Sequence, residues 1–278
     1  MKDEIENRAA VAQGILNEQY PRYLYKFRTL ESAVRDLRIP SIYMNSIVNF
    51  NDPYEGHFVL DSKNTTVEWE TFLQNIGYKS SNIKKKAVYY AANPDKAQKL
   101  LEPIIRDNLE KSGVFCFSKG YDKIPMWAYY AEDHKGICIE YDPLQDEQLC
   151  DSLLPMNYSK DYVRFNYINE PFGVTRSITQ KADCWAGEDE FRLIKVGEAR
   201  KLLTINPQAI TSVILGCKFA DSVTKDPKRK ELTKELLQLL LNPKYSHVIL
   251  EVCQQNKNDY LLQKHAVDIS FLQALVTI

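Results

Sequence analysis

Two glutamates stand two residues apart in "EDEFRLI" (188–194), and they are the clearest candidates for chemistry in this 278-residue chain. On a strand, side chains two apart share a face, so Glu188 and Glu190 would present both carboxylates together, about 7 Å apart. Such a pair can position a hydroxyl and stabilise positive charge that develops in a transition state. The plainer alternative is a solvated strand start, with Arg192 extending the same face as an ion-pair partner. "LYKFR" (24–28) carries the opposite charge by the same logic. Lys26 and Arg28 share a face and form a grip for an anion such as phosphate, unless they merely protect a sheet edge. "FCFS" (115–118) ends an apolar strand on Ser118, which can orient a partner side chain.

Other chemistries have weaker support. The four histidines, His57, His134, His247 and His265, fit no HExxH or HxH spacing, so no metal is expected. Asp52 and Glu55, added to Glu188 and Glu190, would supply the acids of a metal-dependent nuclease or hydrolase. Asp52, however, sits in "FNDPYE", where its carboxylate is better used on turn backbone. Cys116 or Cys138 with His134 would make a nucleophilic pair, but both cysteines lie in apolar runs that disfavour a thiolate. With ten glycines and no glycine-rich phosphate loop, Rossmann and P-loop readings fail.

The elements that must carry these residues can be read from periodicity. Residues 2–17 suggest a weakly amphipathic helix with Ile5, Ala9, Ala12 and Leu16 inward. Strands are expected at 22–28, "SIYMNSI", "GVFCFS", "GICIEYD", "YVRFNYI", 188–196 and "AITSVILGCKF", and as a closing pair in "YSHVILEVC" and "NDYLLQKHAV". Thr29, Thr65 with Glu68, and Asp226 followed by Pro227 mark helix starts. "MWAYYAED" and "SITQKADCW" are further helix candidates. The whole is expected to be α+β, with a mixed, mainly antiparallel central sheet flanked by helices. An N-terminal helix (1–20) precedes a single domain (21–278) with a helical insertion at about 64–112.

Composition sets bounds on partners. Seventeen tyrosines suit half-buried pockets, and a net charge of −1 gives no global field for nucleic acid. Six cysteines without a CxxC pair suggest a reducing cytoplasm. No apolar run approaches a membrane span, so no membrane partner is expected.

Taken in chain order, a basic first strand, an aromatic-X-Ser strand and an E-x-E strand resemble the three-part pattern of ADP-ribosyltransferases. That resemblance implies a split central sheet and NAD as substrate. It makes Glu190 catalytic, Glu188 the accessory acid, Ser118 the supporting serine, and Lys26 or Arg28 the NAD grip. The chain departs from the pattern in having Tyr25-Lys26 where Tyr-Arg or Tyr-His is usual, and a lone Ser118 where a Ser-Thr-Ser string is usual. Over most of its length, from about Tyr23 to near Tyr260, it also resembles the bacterial family catalogued as domain of unknown function 2971. "NDPYE", "MWAYYAEDHKGICIEY" and "WAGEDEFR" carry that likeness, which implies no agreed activity. The combined expectation is a cytoplasmic, NAD-consuming enzyme, an ADP-ribosyltransferase or NAD glycohydrolase, acting as a toxin or antiphage effector. Its partners would be a small-molecule nucleotide and a nucleic-acid or protein acceptor. Trp127, Tyr130 and His134 are expected at the pocket rim, with aromatic rings available to stack on a base. A ligand-binding sensor without turnover is the alternative that needs no chemistry.

Overall fold

The computed structural model describes residues 2–277, with side chains from Arg8 onward except that of Ser80. Helix α1 (Lys2–Leu16), strand β1 (Leu24–Arg28), α2 (Leu30–Arg38) and β2 (Ser41–Ser46) open the chain. A short β3 (Phe58–Leu60) precedes three helices, α3 (Thr66–Asn75), α4 (Ser80–Ala92) and α5 (Pro94–Lys111). Next come β4 (Gly113–Ser118), α6 (Ile124–Tyr130) and β5 (Ile137–Tyr141). Short strands β6 (Leu153–Pro155), β7 (Asn157–Ser159) and β8 (Val163–Phe165) lead to α7 (Gly173–Ile178) and β9 (Gln180–Ala182). β10 (Glu190–Lys195), β11 (Lys201–Thr204) and β12 (Ile210–Leu215) follow. The last elements are α8 (Phe219–Lys225), α9 (Pro227–Leu240), β13 (Ile249–Gln255), β14 (Leu262–Ala266) and α10 (Ser270–Thr277). The fold is α+β, with a mixed, mostly antiparallel sheet between helices.

Local chemistry accounts for the element starts. Thr29 accepts from the Ser32 backbone N–H, Thr65 and Glu68 form a reciprocal capping box, and Asp226 caps α9 ahead of Pro227. Other expectations need correction. α1 turns Val11 and Ile15 into the core, while Ala9 and Leu16 are exposed. Two larger side chains four apart bury more apolar area than the alanines would. Ile5 lies outside the described side chains. The helix foreseen over "SITQKADCW" stops at Ile178 and becomes β9, and the strand foreseen at 188–196 begins only at Glu190.

The main sheet runs β11-β2-β4-β1-β5-β12-β13-β14. β10 pairs with the whole of β4 along one edge, so β1 and β2 must share the other. They do so at opposite ends: β2 meets β4 at Val114 and Gly113, β1 meets it at Ser118. Between those points the sheet parts. One face packs on α1, α2, α8, α9 and α10 through Leu24, Leu37, Phe115, Phe117, Leu193, Leu236 and Leu272. The other face is divided. α6 covers β1, β5 and β12 through Trp127, Phe27 and Ile214. The α3–α5 group covers β4 and β10 through Trp69, Leu101, Ile105, Val114 and Ile194.

Candidate functional site

A cavity of about 460 Å³ opens where the sheet parts. Its walls include consecutive residues of β1 (Tyr25 to Arg28) and of β4 (Val114 to Ser118). Neighbouring residues of a paired strand face opposite sides. A single cavity can touch both sets only by passing between the strands.

β10 brings the acids to this opening. In its antiparallel register Glu190 lies opposite Ser118, and Arg192 opposite Cys116, so all four side chains share the cavity face. Glu188 arrives differently from the strand geometry foreseen. It ends a 3₁₀ turn, and Asp189 takes a left-handed conformation (φ 49°) before the strand begins. The Asp189 side chain then leaves the site for Lys123, 3.1 Å away. Ser118 Oγ donates to the Glu188 carbonyl at 2.8 Å, and the Tyr158 hydroxyl accepts the Glu190 N–H at 2.9 Å.

Five charges interlock here. Lys181 Nζ lies 2.6 Å from Glu188, 3.2 Å from Glu55 and 3.7 Å from Glu190. Arg192 Nε lies 2.8 Å from Glu190, and its fork also binds Glu55 and the Ile178 carbonyl. Arg192 is 0% exposed and the Glu55 side chain 2%. Tyr130 Oη donates to Glu188 Oε1 at 3.0 Å. The cations stack as well, Lys181 over Trp185 (4.7 Å) and Arg192 over Phe50 (5.2 Å). Glu55 reaches the site from a turn in which Asp52 Oδ1 accepts the Tyr54 N–H, the backbone role expected of Asp52.

This environment sets the charge states. Burial alone would raise the Glu190 carboxyl, but Arg192, then Lys181, overcome that and hold it at about 2. Burial raises Glu55 despite the same two cations. Burial, reinforced by Glu188, pushes the Tyr130 hydroxyl up, so it remains a donor at neutral pH. Burial also raises the Cys116 and Cys138 thiols, leaving no ready thiolate for a cysteine–histidine mechanism.

Lys26 reaches into the split. It donates to the Cys116 carbonyl at 2.6 Å and lies 4.6 Å from the Phe115 ring centre. Burial, then Arg28, lowers its ammonium to about 8. Arg28 also lines the cavity, but its Nε is 2.8 Å from buried Asp36, which takes up much of its charge.

Of the residues singled out from sequence, Lys26, Arg28, Ser118, Tyr130, Glu188 and Glu190 all line this cavity. Trp127 and His134 do not. Trp127 is 0% exposed, packed edge-on against Phe27, with its indole N–H donating to the Tyr121 carbonyl. The His134 ring stacks on Trp127, drawn there by a left-handed turn that closes α6. Met126 and Tyr129 supply the rim from α6 instead. The E-x-E spacing had no bearing on Glu55, which is tied to Arg192 across 137 residues of chain. Asn45, Asn49 and Asn51, a further part of the wall, also carried no spacing signal. Among the described residues, no group of three or more His, Cys, Asp or Glu is arranged to hold a metal ion. No described helix is long and apolar enough to cross a membrane. No family model, curated protein or solved structure matches the chain.

Proposed function

We propose that the protein consumes NAD at a site resembling that of ADP-ribosyltransferases. It would break the bond between nicotinamide N1 and ribose C1′. One observation carries this reading: Lys26, Ser118, Glu188 and Glu190 face a single cavity at a break in the sheet. In the step proposed, the electron pair of the C1′–N1 bond leaves with nicotinamide and neutralises its pyridinium charge. Positive charge develops on the ribosyl carbon. Water, or a nucleic-acid or protein acceptor, adds to that carbon and releases its proton to solvent. A carboxylate held at about 2 is a poor proton acceptor at neutral pH, so Glu190 would act through its charge and by accepting a ribose hydroxyl. Glu188, held by Tyr130 and Lys181, offers a second acceptor. Lys26 would meet the pyrophosphate, and Tyr129, Tyr130 and Met126 would wall the nicotinamide ring.

Incubating the protein with NAD, with and without protein and nucleic-acid acceptors, tests the reading through nicotinamide release. Glu190→Gln should lower the rate at least about 100-fold while keeping the side-chain shape. No NAD loss under any acceptor condition would reject turnover. The complete pairing of Glu188 and Glu190 with Lys181 and Arg192 favours a second reading, a ligand-binding cleft without catalysis. It predicts saturable NAD binding with no nicotinamide released, so the same experiment separates the two.

A further inference from the structure

Three chemically different stations follow one another along β4. At Ser118, Glu190 stands in register with the acids around it. At Cys116, the backbone carbonyl holds the Lys26 ammonium. At Val114, Asn45 stands in register from β2, with Tyr43 two residues earlier on the same face. Ser118 and Val114 are four residues apart, about 13 Å along a strand. The cation therefore lies between the acids and the amides.

That order constrains the ligand. A mononucleotide has its phosphate at one end and can satisfy the acids and the cation but leaves the amides empty. A dinucleotide has its phosphates in the middle and a nucleoside on each side. The third station suits a flat heterocycle. Tyr43 is 39% exposed and lines the cavity, enough to offer an accessible face. Asn45 Oδ1 accepts from the Ser46 N–H at 2.9 Å and from Asn49 Nδ2 at 3.4 Å, which fixes the amide. Among the described residues, Asn45 Nδ2 and Asn49 Oδ1 have no hydrogen-bond partner. Together they make a donor and an acceptor, the pair that an adenine edge matches with a ring nitrogen and its amino group.

We infer that Tyr43, Asn45 and Asn49 form the adenine subsite of a dinucleotide whose pyrophosphate lies on Lys26. The inference rests on the NAD reading of the acidic end but is tested separately from it. Hypoxanthine carries a carbonyl where adenine carries its amino donor, so the Asn49 acceptor would face another acceptor.

Calorimetry with NAD, nicotinamide hypoxanthine dinucleotide and nicotinamide mononucleotide reads the subsite. In the wild type, NAD should bind about tenfold more tightly than either alternative, the effect of one or two matched hydrogen bonds. Asn45→Asp keeps the Oδ1 acceptor for Ser46, replaces the donor with a charged acceptor, and should fold. Asn49 is exposed, so Asn49→Ala should fold as well. Asn45→Asp should bring the ratio of NAD to mononucleotide affinity close to one, and Asn49→Ala should abolish the preference for adenine over hypoxanthine. Equal affinity for NAD and the mononucleotide in the wild type, or unchanged ratios in both variants, would overturn the subsite. NAD turnover indifferent to Asn45 and Asn49 would overturn it while leaving the reaction standing. Adenine-selective binding without nicotinamide release would support it while the reaction fails.

Discussion

Lys26 is the residue in this site whose charge is open to change near neutral pH. Burial and the neighbouring Arg28 hold its ammonium at about 8, below the ordinary lysine value. Below that pH it is protonated and can hold pyrophosphate; above it, the charge is lost. NAD affinity should therefore be full under mildly acidic conditions and fall as pH rises through about 8. A bound anion favours the charged form, so the midpoint in the complex should lie higher than in the free protein. The total loss should be about tenfold, the size of one charge-assisted contact. Lys26→Arg keeps its charge across this range and should flatten the profile. Calorimetric titration of NAD from about pH 6.5 to about 9.5 reads both curves. A flat wild-type profile would remove Lys26 from the anion grip. The residue types of the site were legible from spacing: Lys26, Ser118, Glu188 and Glu190 stood out because alternation on a strand assigns faces. The company they keep was less legible. The ion pairing of Arg192 followed from the same alternation, but Glu55 joins from a turn far away in sequence, and only the folded chain brings it near.

At the scale of elements, the corner between α6 and β5 positions the aromatic rim. Glu132, Asp133 and His134 are successive left-handed residues, with φ of 51°, 54° and 70°. Side chains pay roughly 1–2 kcal/mol each for that conformation. Cross-links offset the cost: Glu132 accepts from the Leu30 N–H and from Arg229, Arg229 donates to the Lys135 carbonyl, and the Lys218 N–H binds the His134 carbonyl. Gly136 then passes so close to β1 that an added Cβ would sit 2.3 Å from the Arg28 carbonyl oxygen. The demand at Gly136 is close backbone approach, which no local sequence pattern reveals. Gly136→Ala must push the corner away from β1, at a cost of about 1–3 kcal/mol in chemical denaturation. Because Arg28 and α6 both wall the cavity, the same variant should weaken NAD binding. Wild-type stability for the alanine variant would mean that the corner yields freely and does not fix the rim. By contrast, the helix caps at Thr29, Thr65 and Asp226 were readable because each depends on residues no more than three positions apart.

Across the whole molecule, the decisive feature is a sheet that fails to close. Periodicity revealed most strands and hence the α+β class, but it carries no information about which strand lies beside which. The cavity exists because β1 and β2 diverge from opposite ends of the same β4 edge. A ligand lying across that gap would contact all three strands and substitute for the pairing the backbone lacks. Amide exchange should therefore slow on binding at residues 24–28, 41–46 and 113–118, while the β12–β13–β14 end of the sheet, paired throughout, changes little. The global effect follows from mass action: NAD at about 100 times its dissociation constant adds about 2.7 kcal/mol, roughly 5 °C in melting temperature for a chain of this size. The two measurements answer different questions. A rise in melting temperature with uniform exchange protection would mean that NAD binds elsewhere or only tightens the fold as a whole. Protection confined to β1 and β4 would locate the ligand at the acid end of the split, and protection that also covers Tyr43 and Asn45 in β2 would require it to span the full run from the acids to the amides.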